Sequence, residues 1–167
     1  ELVMQHILNG YSKIYEVEGL RKDGTIYPLE IHGKNIPYQG RPVRVTEFRD
    51  ITDRQRAEER QRLAAAVFEA ARESIIVTDV NECIIAVNPA FTDLSGYSEA
   101  EVLGKNPRLL KSGRQSEAYY TTMWQIIATE GTWQGELWNR RKDGGLYLAL
   151  ATISEVHDAA GRVAYYV

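Results

Sequence analysis

The chain has 167 residues, of which 44% are apolar and 26% are charged, and its net charge is −3. This length accommodates two small domains, and the composition is typical of a folded protein rather than a disordered one. The acidic balance disfavours nucleic acid as a partner, and the single cysteine, Cys83, excludes a disulfide framework or a cysteine-rich metal cluster. No apolar run approaches the roughly 18 residues of a membrane span, so we expect no membrane insertion and a cytoplasmic location.

The sequence contains an internal repeat. Residues 16–30 (EVEGLRKDGTIYPLE) align without a gap with residues 136–150 (ELWNRRKDGGLYLAL). In both copies Lys-Asp-Gly lies between runs rich in Tyr, Ile and Leu, and Asp-Gly tolerates the positive φ angles of a tight hairpin turn. Each copy is therefore predicted to end in three antiparallel strands.

The first copy, residues 1–52, corresponds to only the second half of the repeated unit. It begins in a helical pattern and continues into strands that are divided at Asp23-Gly24 and at Tyr38-Gln39-Gly40. The opening hairpin and short helices predicted for the second copy have no counterpart in it. A sheet that lacks two strands has an exposed edge, so we expect this domain to be stabilised by contact with a partner.

Residues 53–73 are predicted to form a linker helix, because they are rich in Ala, Leu, Glu, Gln and Arg and contain no Pro or Gly. Two interpretations are open. The helix packs on its own domain, or it forms a parallel coiled coil with a second copy of the chain and so makes a homodimer. The second interpretation follows from a heptad spacing of Ala57, Gln61, Ala64, Phe68 and Ala71.

Residues 74–167 are predicted to form a nearly complete second domain. Two β-branched runs, 74–80 and 83–88, flank a turn at Asn81-Glu82, and helix signals follow in 89–104 and 116–127. With the three closing strands, the predicted fold class is α+β: a five-stranded antiparallel sheet flanked by short helices, present in two copies joined by a helix.

The repeated unit resembles the PAS domain of bacterial signalling proteins. The resemblance implies a regulatory sensor that binds a small ligand, dimerises and signals to an output domain outside this chain, such as a two-component histidine kinase or a cyclic-di-GMP enzyme. It implies no catalytic residue in the segment itself. The motifs that carry it are Asn88-Pro89-Ala90-Phe91, Leu94-Ser95-Gly96-Tyr97-Ser98, Glu101–Asn106, Trp133–Glu136, Asn139–Gly144 and Asp50-Ile51-Thr52.

Two cofactor chemistries of this family are disfavoured by the residues present. Light-sensing members carry a cysteine in a Gly-x-Asn-Cys-Arg segment, and Pro107 takes that position here. Haem binding would require a histidine on the longer helix, and residues 117–130 contain none. His6, His32 and His157 lie far apart in the sequence, so we predict no metal site and three surface histidines.

The second domain resembles the flavin-binding PAS sensors that regulate nitrogen fixation and methane oxidation. The resemblance implies that FAD binds with Asn139 at the polar edge of its ring, between Trp124 and Trp133, and with Asn106 as a further contact. Period-two alternation independently places Trp133, Gly135 and Asn139 on one face of a strand. An inward amide such as that of Asn139 requires a hydrogen-bonding partner.

A second interpretation of the same residues remains open. Similar strings occur in PAS domains without an established cofactor, where the two tryptophans are core aromatics and Asn139 bonds to a neighbouring strand. In the nitrogen-fixation relatives a carboxylate stands at the position of Pro107, and proline lacks one. The alternative function is a ligand-free dimerisation and relay module. The first copy has Gly19 opposite Asn139, so we expect it to bind no flavin.

Overall fold

A computed structural model describes residues 2–167, with the side chains from residue 3 onwards. The chain divides into two compact units, Glu1–Ala64 and Ala65–Val167. Both units combine antiparallel strands with helices, so the predicted α+β class is confirmed.

The first unit is a short helix followed by a three-stranded sheet. Helix α1 spans Leu2–Leu8, and strands β1 (Tyr15–Leu20), β2 (Ile26–Tyr38) and β3 (Arg41–Asp50) are hydrogen-bonded in the order β1-β2-β3. The predicted Lys-Asp-Gly turn joins β1 to β2, where Gly24 has a φ of +86°. One edge of β3 is free among the described residues, as expected for a sheet of three strands.

One histidine differs from the sequence prediction. His6 is half-buried rather than a surface residue, because its imidazole stacks on Tyr11 at 4.1 Å between ring centroids. Its edge also contacts Tyr15 at 4.4 Å between ring centroids. The other two histidines, His32 and His157, are exposed as predicted.

Helix α2 spans Thr52–Ala70, and the side chain of Asp50 contacts its first residue. The Asp50 carboxylate accepts hydrogen bonds from the backbone N–H and the hydroxyl of Thr52, at 2.9 and 2.6 Å. Arg54 then pairs with Glu16 at 2.6 Å and with Glu30 at 3.4 Å, which attaches the first turn to the sheet of the first unit. No residue of the helix is buried.

The second unit contains a five-stranded antiparallel sheet in the order β5-β4-β8-β7-β6. The hairpin β4–β5 opens the unit, helices follow, and the strands β6, β7 and β8 close it. The bounds are β4 Ile76–Asp79, β5 Ile84–Val87, α3 Pro89–Ser95, α4 Glu99–Val102, a 3-10 turn Pro107–Leu110, α5 Glu117–Glu130, β6 Thr132–Arg140, β7 Leu146–His157 and β8 Val163–Tyr166.

Local sequence signals fix the ends of these helices. Asn88 caps α3 and Ser116 caps α5 through their side chains, and a capping box of Ser98 and Glu101 is present at α4. Gly131, with a φ of +75°, ends α5 in the left-handed conformation that glycine adopts without strain. The short helices predicted within 89–104 are α3 and α4, which a turn separates.

Apolar side chains pack in two clusters on the helical side of this sheet. One joins β5, α3 and α4 around Phe91, and the other joins α5 and β6 around Ile127. Both central side chains are 1% exposed. Because the clusters are separate, side chains between them line an internal space.

Candidate functional site

A cavity of about 950 Å³ lies on the inner face of the second unit's sheet. This volume falls within the range of about 300–1,000 Å³ that is typical of small-molecule sites. Its walls come from β4, α3, the 3-10 turn, α5 and the strands β6 to β8. Among the lining side chains are Thr78, Phe91, Leu110, Tyr120, Met123, Trp124, Leu137, Asn139, Tyr147 and Tyr166.

Small side chains form part of the cavity wall on β7. Ala149 and Ala151 alternate with outward-facing residues and line the cavity from the middle of that strand. Met123 and Trp124 line it from α5. These alanines add little bulk to the wall, and Ala151 also packs against the cluster around Ile127.

Asn139 lines the cavity from β6, on the inward face that period-two alternation predicts. Its cross-strand neighbour on β7 is Tyr147. Burial raises the pKa of the Tyr147 hydroxyl, whereas the Asn139 amide and the nearby Arg141 oppose the shift. The Arg141 guanidinium lies 4.7 Å from the centre of the Tyr147 ring. Asn139 and Tyr147 are thus neighbouring polar side chains in the cavity lining.

The two predicted wall tryptophans have different positions. Trp124 lines the cavity and meets the Tyr166 ring edge-on, with 5.3 Å between ring centroids. Trp133 is buried in the neighbouring cluster with Met123 and Ile127, outside the cavity lining. The physical reason is Gly135: a Cβ there would lie 2.3 Å from Trp133 Cζ2. The indole therefore occupies the space that a side chain at position 135 would take.

Asn106 lines the cavity but its amide already has protein partners. Its Oδ1 accepts from the backbone N–H of Arg108 at 2.9 Å and from Arg108 Nε at 3.1 Å. Its Nδ2 donates to Glu82 Oε2 at 2.9 Å. The side chain therefore caps the 3-10 turn, a structural role that the Asn-Pro sequence could have indicated.

The segment between the 3-10 turn and α5 binds the outer edge of β6, which sequence periodicity did not predict. Gln115 Nε2 donates to the carbonyl of Glu136 at 3.1 Å, and Gln115 Oε1 accepts from the Trp138 N–H at 3.2 Å. Lys111 forms a backbone bridge with Asn139. These contacts satisfy backbone groups of an edge strand and hold Asn139 in place.

Asn88 connects the start of the second unit to its helices. Its Nδ2 donates to the carbonyls of Ala71 and Glu73, at 3.4 and 2.8 Å, and its Oδ1 accepts from the N–H groups of Ile75 and Phe91, at 2.9 and 3.1 Å. The side chain is 1% exposed. Residues 72–75, which this amide fixes, line one side of the cavity.

The thiol and metal chemistry of the described residues is limited. Cys83 lies outside the cavity lining, with Sγ 3.8 Å from the carbonyl of Asn81. No group of three His, Cys, Asp or Glu side chains within residues 2–167 is arranged to hold a metal ion. In the same range, no helix is both long enough and apolar enough to cross a bilayer.

One protein family matches residues in both units. The model of the PAS domain matches residues 3–53 and 72–167. The chain belongs to the PAS domain family. Among solved structures, a PAS domain from Colwellia psychrerythraea aligns with a TM-score of 0.59 and 22% identity, covering 64% of this chain and 91% of that one. An RNA-binding light-oxygen-voltage receptor aligns with a TM-score of 0.56 and 18% identity, over 98% and 78%. At these identities the likeness establishes the PAS fold alone.

Curated relatives of this PAS chain are regulatory proteins. A nitrogen fixation regulatory protein of Klebsiella oxytoca is 41% identical over 99 residues, which are 59% of this chain and 20% of the relative. A bacterioopsin transcriptional activator of Halobacterium salinarum is 38% identical over 54% of the chain and 13% of its own length. A blue-light-activated histidine kinase of Rhizobium johnstonii is 33% identical over 65% and 32%. The chain spans at most about a third of the length of these relatives.

Proposed function

We propose that this chain is a cytoplasmic regulatory segment whose second PAS domain binds FAD or a related flavin and relays its redox state to an output domain outside the chain. The cavity carries the proposal, because it has the volume of a cofactor site and presents the Asn139 amide from its wall. The resemblance to flavin-binding redox sensors and the 41% identity to a nitrogen fixation regulatory protein support it. Any kinase or cyclic-di-GMP activity belongs to the parent protein.

The residues present fit a flavin. A flat aromatic ring with one polar edge requires a slot with apolar or aromatic walls and an amide that both donates and accepts. Ala149 and Ala151 leave room on the sheet side, and Trp124 and Tyr166 present aromatic surface. Asn139 supplies the amide. A redox role rather than a light-driven thiol adduct agrees with Pro107 and with the position of Cys83 outside the cavity lining.

The relay starts at Asn139. A bound flavin supplies reversible electron uptake, which alters the protons and hydrogen bonds at its polar edge. Asn139 responds by rotating its amide, since the same side chain can present either an acceptor or a donor. Because Lys111 and Gln115 hold the strand at its outer edge, the change is passed to β6 as a whole.

The second step passes from the cavity to α2. Residues 72–75 line the cavity and are separated from the end of that helix by Ala71 alone. The buried Asn88 amide ties this segment to α3, so a displacement of the cavity wall moves the carbonyl of Ala71 with it. The helix therefore receives the signal through hydrogen bonds rather than through apolar packing.

An absorption spectrum of freshly purified protein, with and without added FAD, tests the proposal. We expect paired flavin bands in the near-ultraviolet and blue regions, and we expect Asn139→Ala to weaken binding or shift the midpoint potential. Gln125→Ala, at an exposed position on α5, is the matched control and should leave both unchanged. A protein that takes up no flavin on reconstitution would contradict the proposal.

A ligand-free dimerisation module is the second candidate, and the surface of α2 favours it. Leu63 and Val67 are 62% and 63% exposed, and they widen the heptad stripe predicted from the sequence. We propose that this stripe pairs two copies of the chain in parallel, with or without a flavin. A flat absorption spectrum together with a dimer in sedimentation would favour this function over the redox sensor.

A further inference from the structure

The polar end of the cavity contains a carboxylate that belongs to the protein. Glu82, in the turn between β4 and β5, lines the cavity together with Asn106 and Arg108. Its Oε2 accepts from Asn106 Nδ2 at 2.9 Å and lies 3.6 Å from Arg108 Nη2. Asn106 Oδ1 in turn accepts from Arg108. The three side chains form one closed network of an anion, an amide and a cation.

The backbone of Glu82 is held in an unfavourable conformation. Its φ is +60°, in the left-handed region that residues with a Cβ rarely adopt. The turn fixes this geometry, because the Glu82 N–H donates to the carbonyl of Asp79 at 3.0 Å. Glycine would adopt the same backbone without strain, so the glutamate stands at a position that its own backbone conformation disfavours.

The charge of Glu82 acts inside the cavity. Burial is the main cause of the raised pKa of Tyr166, and the carboxylates of Glu155 and Glu82 raise it further. Arg108 and the Asn106 amide are the kinds of donor that bind a phosphate or a carboxylate. The Glu82 carboxylate already accepts from the Asn106 amide and pairs with Arg108, as an anionic group of a ligand would.

We propose that Glu82 is a specificity-determining residue: a half-exposed carboxylate of the protein that pairs with Arg108 and Asn106 and disfavours an anionic ligand group at this end of the cavity, so that the pyrophosphate of a bound FAD would lie elsewhere. The choice of probe rests on the proposed flavin function. For a flavin, the neutral riboflavin should bind at least as tightly as its phosphate ester, FMN. Removal of the Glu82 charge frees Arg108 and Asn106 to bind a phosphate, so FMN should then bind more tightly than riboflavin.

The first test compares riboflavin and FMN by equilibrium titration, with flavin fluorescence as the signal. Glu82→Gln keeps an oxygen that can accept from Asn106 but removes the charge. We expect the affinity for FMN relative to riboflavin to rise about tenfold, since one unit charge close to the phosphate is removed at a partly exposed site. Glu130→Gln, which removes a charge at the exposed end of α5, should leave the ratio unchanged. An equal ratio in the wild type and Glu82→Gln would overturn the proposal.

The second test needs no flavin. Inorganic phosphate is compared with chloride at matched ionic strength, with the thermal midpoint of unfolding as the readout. We expect phosphate to raise the midpoint of Glu82→Gln and to leave the wild type unchanged; an equal response of both proteins refutes the role of Glu82. If neither protein binds riboflavin or FMN, the flavin function fails and the phosphate test alone decides about Glu82. Glu82→Gly, which relieves the backbone strain, replaces the glutamine variant if the latter does not fold.

Discussion

Asn88 provides the sharpest test of the structural account, because one buried amide carries four hydrogen bonds. Replacement by alanine removes the N-cap of α3, worth about 1 kcal/mol. It also leaves the carbonyl of Glu73 and the N–H of Ile75 without this partner, and each lost bond costs about 0.5–1.5 kcal/mol. Together these losses predict that Asn88→Ala lowers the free energy of unfolding of the second domain by about 2–4 kcal/mol.

Tryptophan fluorescence during urea unfolding measures this effect in the relevant domain alone. All three tryptophans, Trp124, Trp133 and Trp138, lie in the second unit, so their fluorescence does not report unfolding of the first unit. Ser116→Ala is the matched control, because Ser116 caps α5 with one side-chain hydrogen bond and should cost about 1 kcal/mol. If Asn88→Ala lowers the free energy of unfolding no more than Ser116→Ala does, then Asn88 does not connect the end of α2 to the cavity wall.

Three further predictions concern packing, pH and assembly. Gly135→Ala places a methyl group 2.3 Å from a carbon of the buried Trp133 indole. We therefore expect the free energy of unfolding in urea to fall by about 1–3 kcal/mol and the tryptophan emission to shift. An unchanged stability and emission would mean that the indole lies elsewhere. Lys142 and the Ser98 cap lower the pKa of Glu101 from 4.5 to about 2, so its favourable contribution is complete above about pH 4.5 and is lost as the pH falls towards 2. Lys142→Met should flatten the acid side of the stability profile, and an unaltered profile would exclude this pair as its cause. Leu63→Glu with Val67→Glu should convert a dimer to a monomer in sedimentation without loss of helix, whereas a monomeric wild type would refute the coiled coil.

The fold could be predicted well because its signals are local. Alternation along β6 placed Asn139 on the inner face, and Ser98 and Gly131 marked helix ends through caps that depend on neighbouring residues only. The linker helix followed from composition, although it spans Thr52–Ala70 instead of 53–73. Ala71, the last residue of the predicted heptad spacing, therefore lies beyond its end. The proposed domain limits at 52 and 73 stay a prediction.

The site was harder to predict because it depends on side-chain directions and on contacts between distant residues. Alternation gives the face of a strand but not the rotamer, so it could not show that Trp133 folds over Gly135. The Asn106 amide has its partner in Glu82, 24 residues away, and Gln115 reaches across 21 residues to Glu136. No periodic pattern encodes such pairs. The flavin assignment to these residues therefore remains a proposal.

The identical hairpin turns of the two domains have a consequence for folding. Arg21 lies over Tyr27 and Arg141 over Tyr147, at 4.3 and 4.7 Å from the ring centres, so the two turns close with the same contact. Tandem units with matching local structure are prone to exchange strands between copies during synthesis or refolding. The strands that flank the turns reduce this hazard by their differences, since β6 carries bulky indoles that have no counterpart in β1. Divergence outside the turn thus protects each domain from pairing with the wrong half of its neighbour.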